Sequence, residues 1–131
     1  MKNKVRIILS IICVIILVFA IDLILYIYIG EYQKGLECCQ KALEIKKEIL
    51  PSVCPDIATT YSNIGYAYGE MGEYEKQLEY YRKALKMDEE ILLPTHPDRV
   101  AVSFNNIGYA YDSMEEYTKA LEYYQKALNI R

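Results

Sequence analysis

Apolar positions follow two different patterns along the 131-residue chain. From Ile7 to Ile29 they run almost without a break, interrupted by Ser10 and Asp22. Beyond Gly30 they recur at helical spacing instead. Tyr61, Ile64 and Tyr68 lie three and four apart, and Leu78, Tyr81 and Leu85 do the same in the segment that follows. The first pattern predicts a single apolar helix from about Lys4 to Tyr28; the second predicts paired amphipathic helices.

The paired pattern is written more than once. Asn63 to Leu85 reads NIGYAYGEMGEYEKQLEYYRKAL, and Asn106 to Leu128 reads NIGYAYDSMEEYTKALEYYQKAL. Glu31, Tyr32, Lys34, Leu36, Lys41, Ala42 and Leu43 recur 42 residues later as Glu73, Tyr74, Lys76, Leu78, Lys83, Ala84 and Leu85. After a further 43 they recur as Glu116, Tyr117, Lys119, Leu121, Lys126, Ala127 and Leu128. Pro55-Asp56 and Pro97-Asp98 are still 42 apart, so the extra residue falls at Arg99. Repetition at this period predicts a solenoid whose units bury their apolar faces against neighbours.

Each unit divides into two helices. Met71-Gly72 separates them in one copy, where Gly72 can take the positive φ of a helix C-cap; Ser113-Met114-Glu115 stands there in the next. Pro51 and Pro55, then Pro94 and Pro97, end the second helix and start the following unit, with Asp56 and Asp98 expected as N-caps. Gly65 and Gly108 inside helices each cost about 1 kcal/mol against Ala, which close approach of the partner helix offsets. Ala84 and Ala127 permit the same approach from the other side.

Tyr61 to Tyr68, Gly72, Tyr74, Tyr81 and Ala84, matched by Phe104, Ile107, Gly108, Tyr111, Tyr117, Ala120, Tyr124 and Ala127, resemble the tetratricopeptide repeat. The longer period, and HPD at His96 to Asp98 followed by SFNNIGYAY, are similar to the kinesin light chain and nephrocystin-like subfamily. The resemblance covers residues 30–131. It implies an all-α solenoid of antiparallel helix pairs, with a partial repeat at 30–55 and full repeats at 56–97 and 98–131. Projected backwards, it assigns Phe19 to Tyr26 to the first helix of an incomplete leading unit, with Gly30 in the place of Gly72.

If Ile64 and Gly65 turn inward, the opposite side of the first helices carries Thr59, Ser62, Asn63 and Tyr66, matched by Val102, Asn105, Asn106 and Tyr109. An amide both donates and accepts, so spaced asparagines suit the backbone of an extended peptide. In the kinesin light chains that the chain resembles, asparagines of this motif line the cargo groove. No lysine or arginine stands among the eight positions, which argues against a clamp for a chain-terminal carboxylate. The same Asn positions also suit plain exposed helix surface.

The apolar beginning fits three roles. Its 23 residues suffice to span a bilayer core of about 30 Å. Central Leu, Ile, Val and Phe contribute about −0.3 to −0.6 kcal/mol each on insertion scales, which together outweigh the roughly 2.5 to 3.5 that Asp22 costs. Tyr26 and Tyr28 suit the interface, and Lys2, Lys4 and Arg6 favour a cytoplasmic amino terminus. That topology places the repeats across the membrane, whereas the related families work in the cytosol. Val18-Phe19-Ala20 also fits a signal-peptidase site, giving a secreted chain from Ile21. As a cap packed on the repeats, the helix would leave the protein cytoplasmic.

Charge and chemistry narrow the function. Of 15 Lys and Arg, three precede the apolar run; of 18 Asp and Glu, only Asp22 lies in it; residues 30–131 hold 12 basic and 17 acidic side chains, net −5. Such an acidic, mixed surface excludes a nucleic-acid partner. Cys13, Cys38, Cys39 and Cys54 have no zinc spacing and fit helix residues in a reducing compartment. His96 has no ligand partner at metal spacing and reads as a loop-shaping residue. No catalytic site, metal site or cofactor motif is present, and the chain is not expected to be an enzyme. The expected function is a membrane-tethered, non-catalytic module, held through residues 5–29, that binds a protein or peptide segment. The alternatives are a membrane-anchored oligomerisation unit that self-stacks its repeats, and a fragment of a larger repeat scaffold.

Overall fold

The computed structural model describes residues 1–92 and 96–130, with Leu92 by its backbone alone. Among them are five helices and no strand: α1 (Lys2–Ile49), α2 (Pro55–Glu70), α3 (Tyr74–Leu92), α4 (Pro97–Ser113) and α5 (Tyr117–Ile130). The chain forms two compact units, Met1–Glu31 and Tyr32–Arg131. In the first, every large apolar side chain from Val5 to Ile29 is 44% to 77% exposed. The leading hairpin projected from the repeat is not formed. Gly30 lies inside α1 and makes no turn, because one Gly costs a helix only about 1 kcal/mol and long runs of helix-compatible residues flank it.

The second unit is a stack of helices in which like positions meet like. Leu36, Leu43, Ile57, Ile64 and Ala67 form one core cluster; Tyr81, Leu85, Val100, Ile107, Ala110, Tyr111 and Ala120 form the next. Ile57, Ile64, Val100 and Ile107 are at most 1% exposed. At roughly 1.5 to 3 kcal/mol for each fully buried aliphatic side chain, these two clusters are the main attraction between repeats.

Gly65 and Gly108 have the expected use. A Cβ on Gly65 would stand 2.8 Å from Tyr81 Cδ1, and one on Gly108 would stand 2.7 Å from Tyr124 Cε1. The rings lie directly against the backbone of the first helices, so no larger residue fits there without displacing a tyrosine. Ala84 and Ala127, a turn further along, are 1% and 2% exposed.

Helix ends follow the prolines more closely than the acids. α2 and α4 begin with Pro55 and Pro97 inside the first turn, so Cys54 and His96 occupy the N-cap positions. Asp56 and Asp98 are therefore first-turn residues and not N-caps; Pro at the first helical position has a preset φ and no N–H to satisfy. Both carboxylates still favour the positive end of the helix dipole. The turns after α2 and α4 use Gly72 at φ 79° and Glu115 at φ 61°. The helix break expected at Pro94 lies outside the described residues.

Candidate functional site

All eight residues expected on the open side of the first helices lie on α2 and α4, and none is buried. Thr59, Asn63 and Tyr66 of α2 and Val102 and Tyr109 of α4 are exposed; Ser62, Asn105 and Asn106 are half-buried. The residues between them that face inward, Ile64 and Ile107, have no exposed surface. Helical periodicity thus separates a packing stripe from an open stripe on each first helix.

Four of the eight meet in one place. Thr59, Ser62, Val102 and Asn106 line a cleft of about 220 Å³ together with Asp88, Arg99 and Ser103. Asn63, Tyr66, Asn105 and Tyr109 lie outside its lining. Asn63 and Asn106 are equivalent in sequence, yet only Asn106 faces this cleft.

The cleft has a charged element that the pattern of the first helices did not show. Arg99 Nη2 donates to the Pro55 carbonyl at 3.0 Å and to Thr59 Oγ1 at 2.6 Å, tying the start of α4 to the start of α2. Ser103 Oγ donates to Asp88 Oδ2 at 2.7 Å. Asp88 is 3% exposed, and Arg99 Nε stands 3.5 Å from its Oδ1. That approach is an ion pair without hydrogen-bond geometry, and Oδ1 has no hydrogen-bond partner. None of the eight positions is itself basic, but Arg99, the residue inserted in the first turn of α4, brings a guanidinium to the cleft wall beside them.

The signal for this cluster was present but oblique. Lys46, Asp88 and Arg131 share one repeat position, as do Thr60 and Ser103. In the earlier unit Lys46 Nζ donates to Thr60 Oγ1 at 3.0 Å. The position that links one unit to the next is thus a cation in one copy and an anion in the other, and only the anion recruits Arg99.

Tyrosines supply the rest of the surface chemistry. Tyr66 meets Tyr32 edge-on with ring centroids 6.2 Å apart, and hydrogen bonding with Tyr32 is the main cause that raises its phenol above the ordinary value. Elsewhere the rings form a repeated ladder. Tyr80 packs on Tyr61 and Tyr68, and Tyr123 packs on Phe104 and Tyr111, with centroids 5.4 to 6.2 Å apart. Lys83 covers the Tyr80 ring at 4.6 Å and Lys126 the Tyr123 ring at 4.5 Å, arrangements worth about 0.5 to 1 kcal/mol each at exposed sites.

Among the described residues no three His, Cys, Asp or Glu side chains converge on a point where a metal would sit. Cys13 and Cys38 are exposed and Cys39 and Cys54 partly so, all as free thiols.

Solved structures share the fold of the repeats. A Podosopora anserina protein described as a kinesin light chain with nearly identical TPR-like repeats superposes at a TM-score of 0.67, with 21% identity over 77% of this chain and 47% of its own. A variant of it gives 0.65 at 20% identity, over 77% of this chain and 47% of that one. BtubC (BKLC) from P. vanneervenii gives 0.63 at 27% identity, over 77% of this chain and 39% of that one. The chain thus spans less than half the length of these relatives. No curated protein matches the sequence. The tetratricopeptide repeat family, whose members are in general protein-interaction modules on a typically non-catalytic scaffold, matches residues 24–90 and 56–131. With the repeated helix pairs, the glycine–tyrosine contacts and this match over most of its length, the chain belongs to the tetratricopeptide repeat family.

Proposed function

We propose that this protein is a membrane-tethered interaction module that holds an extended peptide segment along the open faces of α2 and α4. One observation carries the reading: the same stripe is exposed on two successive first helices, beside a cleft into which Asn106, Ser62 and Thr59 present polar groups. Hydroxyl and amide groups of this kind satisfy peptide N–H and C=O groups of any sequence. Tyr66 and Tyr109, 49% and 51% exposed, add apolar surface for side chains. The Arg99 guanidinium is already shared among Asp88, Thr59 and Pro55, so the segment needs no free terminus to neutralise it.

The experiment is a peptide-array screen with the full chain in mild detergent, followed by titration of the best binder against Asn63→Ala/Asn106→Ala. Loss of about 1 to 3 kcal/mol of binding with unchanged helix content is expected. Unaltered affinity removes the groove reading.

Tethering is supported by α1, whose most apolar 18-residue window has a mean hydropathy of 3.3 and no buried residue. Alkaline carbonate extraction tests it. An uncleaved chain that remains with the membrane supports the tether, whereas a mature chain beginning at Ile21 indicates a cleaved signal.

A further inference from the structure

The open stripes of the first helices have two chemically different ends. On α2 the stripe runs through Thr59, Ser62, Tyr66 and Glu70, and on α4 through Val102, Asn106, Tyr109 and Asp112. Each step is three or four residues, so each set shares one helical face. At the entry end stands Arg99, whose guanidinium is held by Asp88, Thr59 and the Pro55 carbonyl. At the exit end stand the two carboxylates.

Those carboxylates sit where helices ordinarily place cations. The last turn of a helix carries partial negative charge on its free carbonyls, which lysine and arginine offset and acids aggravate. Glu70 is the last residue of α2 and Asp112 the last but one of α4, and neither helix has a basic residue in its last turn. The next lysines along the chain are engaged elsewhere: Lys76 pairs with Glu73, and Lys119 with Glu116. Beside each acid is a half-exposed ring, Tyr66 or Tyr109. Hydrogen bonding with Tyr32 and then the charge of Glu70 raise the Tyr66 phenol; burial and then the charge of Asp112 raise that of Tyr124, whose ring lies under Gly108. Both carboxylates therefore act on the aromatic surface.

We propose that the exit end of the stripe is a docking site for basic side chains, so that the partner is a polypeptide segment bearing lysine or arginine. The aliphatic stem packs on the Tyr66 and Tyr109 rings, whose faces attract a cation, and the charged head reaches Glu70 or Asp112 and the adjoining helix end. Charge complementarity selects this occupant. Residues 30–131 hold 12 basic and 17 acidic side chains, and the Arg99 cation of the stripe is already engaged. An acidic segment would meet two carboxylates and two negative helix ends. The site rests on the peptide-binding reading of α2 and α4, and it adds which segment is held.

Three short, labelled peptides with capped termini are the probes, alternating serine with lysine, with glutamine and with glutamate. Each is titrated by anisotropy into the full chain in mild uncharged detergent. The lysine peptide should bind saturably and at least about tenfold more tightly than the glutamine one, and rising salt should weaken it. Glu70→Gln/Asp112→Asn should remove the lysine preference with unchanged circular dichroism, because a helix end loses nothing when an acid there is neutralised. Glu89→Gln/Glu90→Gln, an exposed acidic pair at the far end of α3, should leave the preference intact. Absence of saturable binding by the lysine peptide, or a preference that survives Glu70→Gln/Asp112→Asn, overturns the proposal. So does equal loss in Glu89→Gln/Glu90→Gln, which would reveal a diffuse field. Asn63→Ala separates the two readings: it should weaken all binding peptides by one factor if the asparagines hold the backbone, and a lysine preference that persists where Asn63→Ala changes nothing keeps the basic site and removes the backbone contacts.

Discussion

The α2–α3 and α4–α5 hairpins solve one packing problem with different residues. Where the first has Gly69 beneath the amide of Gln77, the second has Asp112 and Ala120 at the same positions. Where the first turns on Gly72, the second holds Glu115 at a positive φ. Where Lys46 reaches Thr60 at the entry to one, Asp88 and Arg99 gather around Ser103 and Thr59 at the entry to the other. The comparison teaches that the fold fixes positions and volumes, while the chemistry at each position is open to exchange if its neighbour changes with it.

The largest effects should come where the hairpins agree. Gly65→Ala and Gly108→Ala each push a methyl into a tyrosine ring, and an overpacked core costs about 1 to 3 kcal/mol. Urea denaturation of the full chain should give the two similar losses; a difference above about 1 kcal/mol would mean that one ring has room the other lacks. The charged entries should then separate the hairpins. Arg99→Ala strips a buried carboxylate of its cation, leaving only Ser103, and should cost about 1 to 3 kcal/mol. Lys46→Ala should cost under about 1 kcal/mol, because Thr60 Oγ1 also donates to the Asp56 carbonyl at 2.9 Å and the lysine remains partly solvated. Equal losses would break the distinction.

A smaller effect concerns the turns. Glu115→Gly should stabilise the chain by up to about 1 kcal/mol, since a non-glycine residue at positive φ is strained, and Gly72→Glu should do the reverse. The volume exchange is the finest test. Gly69→Ala should be destabilising alone and close to neutral beside Gln77→Ala, a coupling that a double-mutant cycle reads directly. Additive losses would show that Gln77 swings away freely.

The fold was legible because its signals are periodic. Ile64, Gly65, Tyr81 and Ala84 recur with their spacing intact, so the inward faces could be read from the chain, as could the use of Gly72. Helix starts were misread at Asp56 and Asp98 because Pro and Asp both mark an N-terminus and the sequence does not rank them; the rigid φ of Pro prevailed. Gly30 shows the converse error. A position in the place of Gly72 does not become a turn when the residues around it favour helix on both sides. The cleft was only half legible. Its hydroxyl and amide walls follow from helix periodicity, but Arg99 reaches a carbonyl 44 residues away, and no local pattern announces a contact of that separation.

The Gly69–Gln77 pair also decides where such a chain can be recombined. A cut in the α3–α4 connection moves α2 and α3 together, so glycine travels with the glutamine that fills its space. A cut at the hairpin turn joins α4 to a copy of α3 and sets Asp112 against Gln77, two side chains where one fits. Duplication of Pro55–His96, with an arginine inserted after Asp56 of the second copy so that Asp88 keeps a cation, should therefore yield a longer folded protein, and duplication of Tyr74–Glu116 a strained one, although the second block carries the full 43-residue period. The natural unit of inheritance in this solenoid is the hairpin, bounded by its prolines.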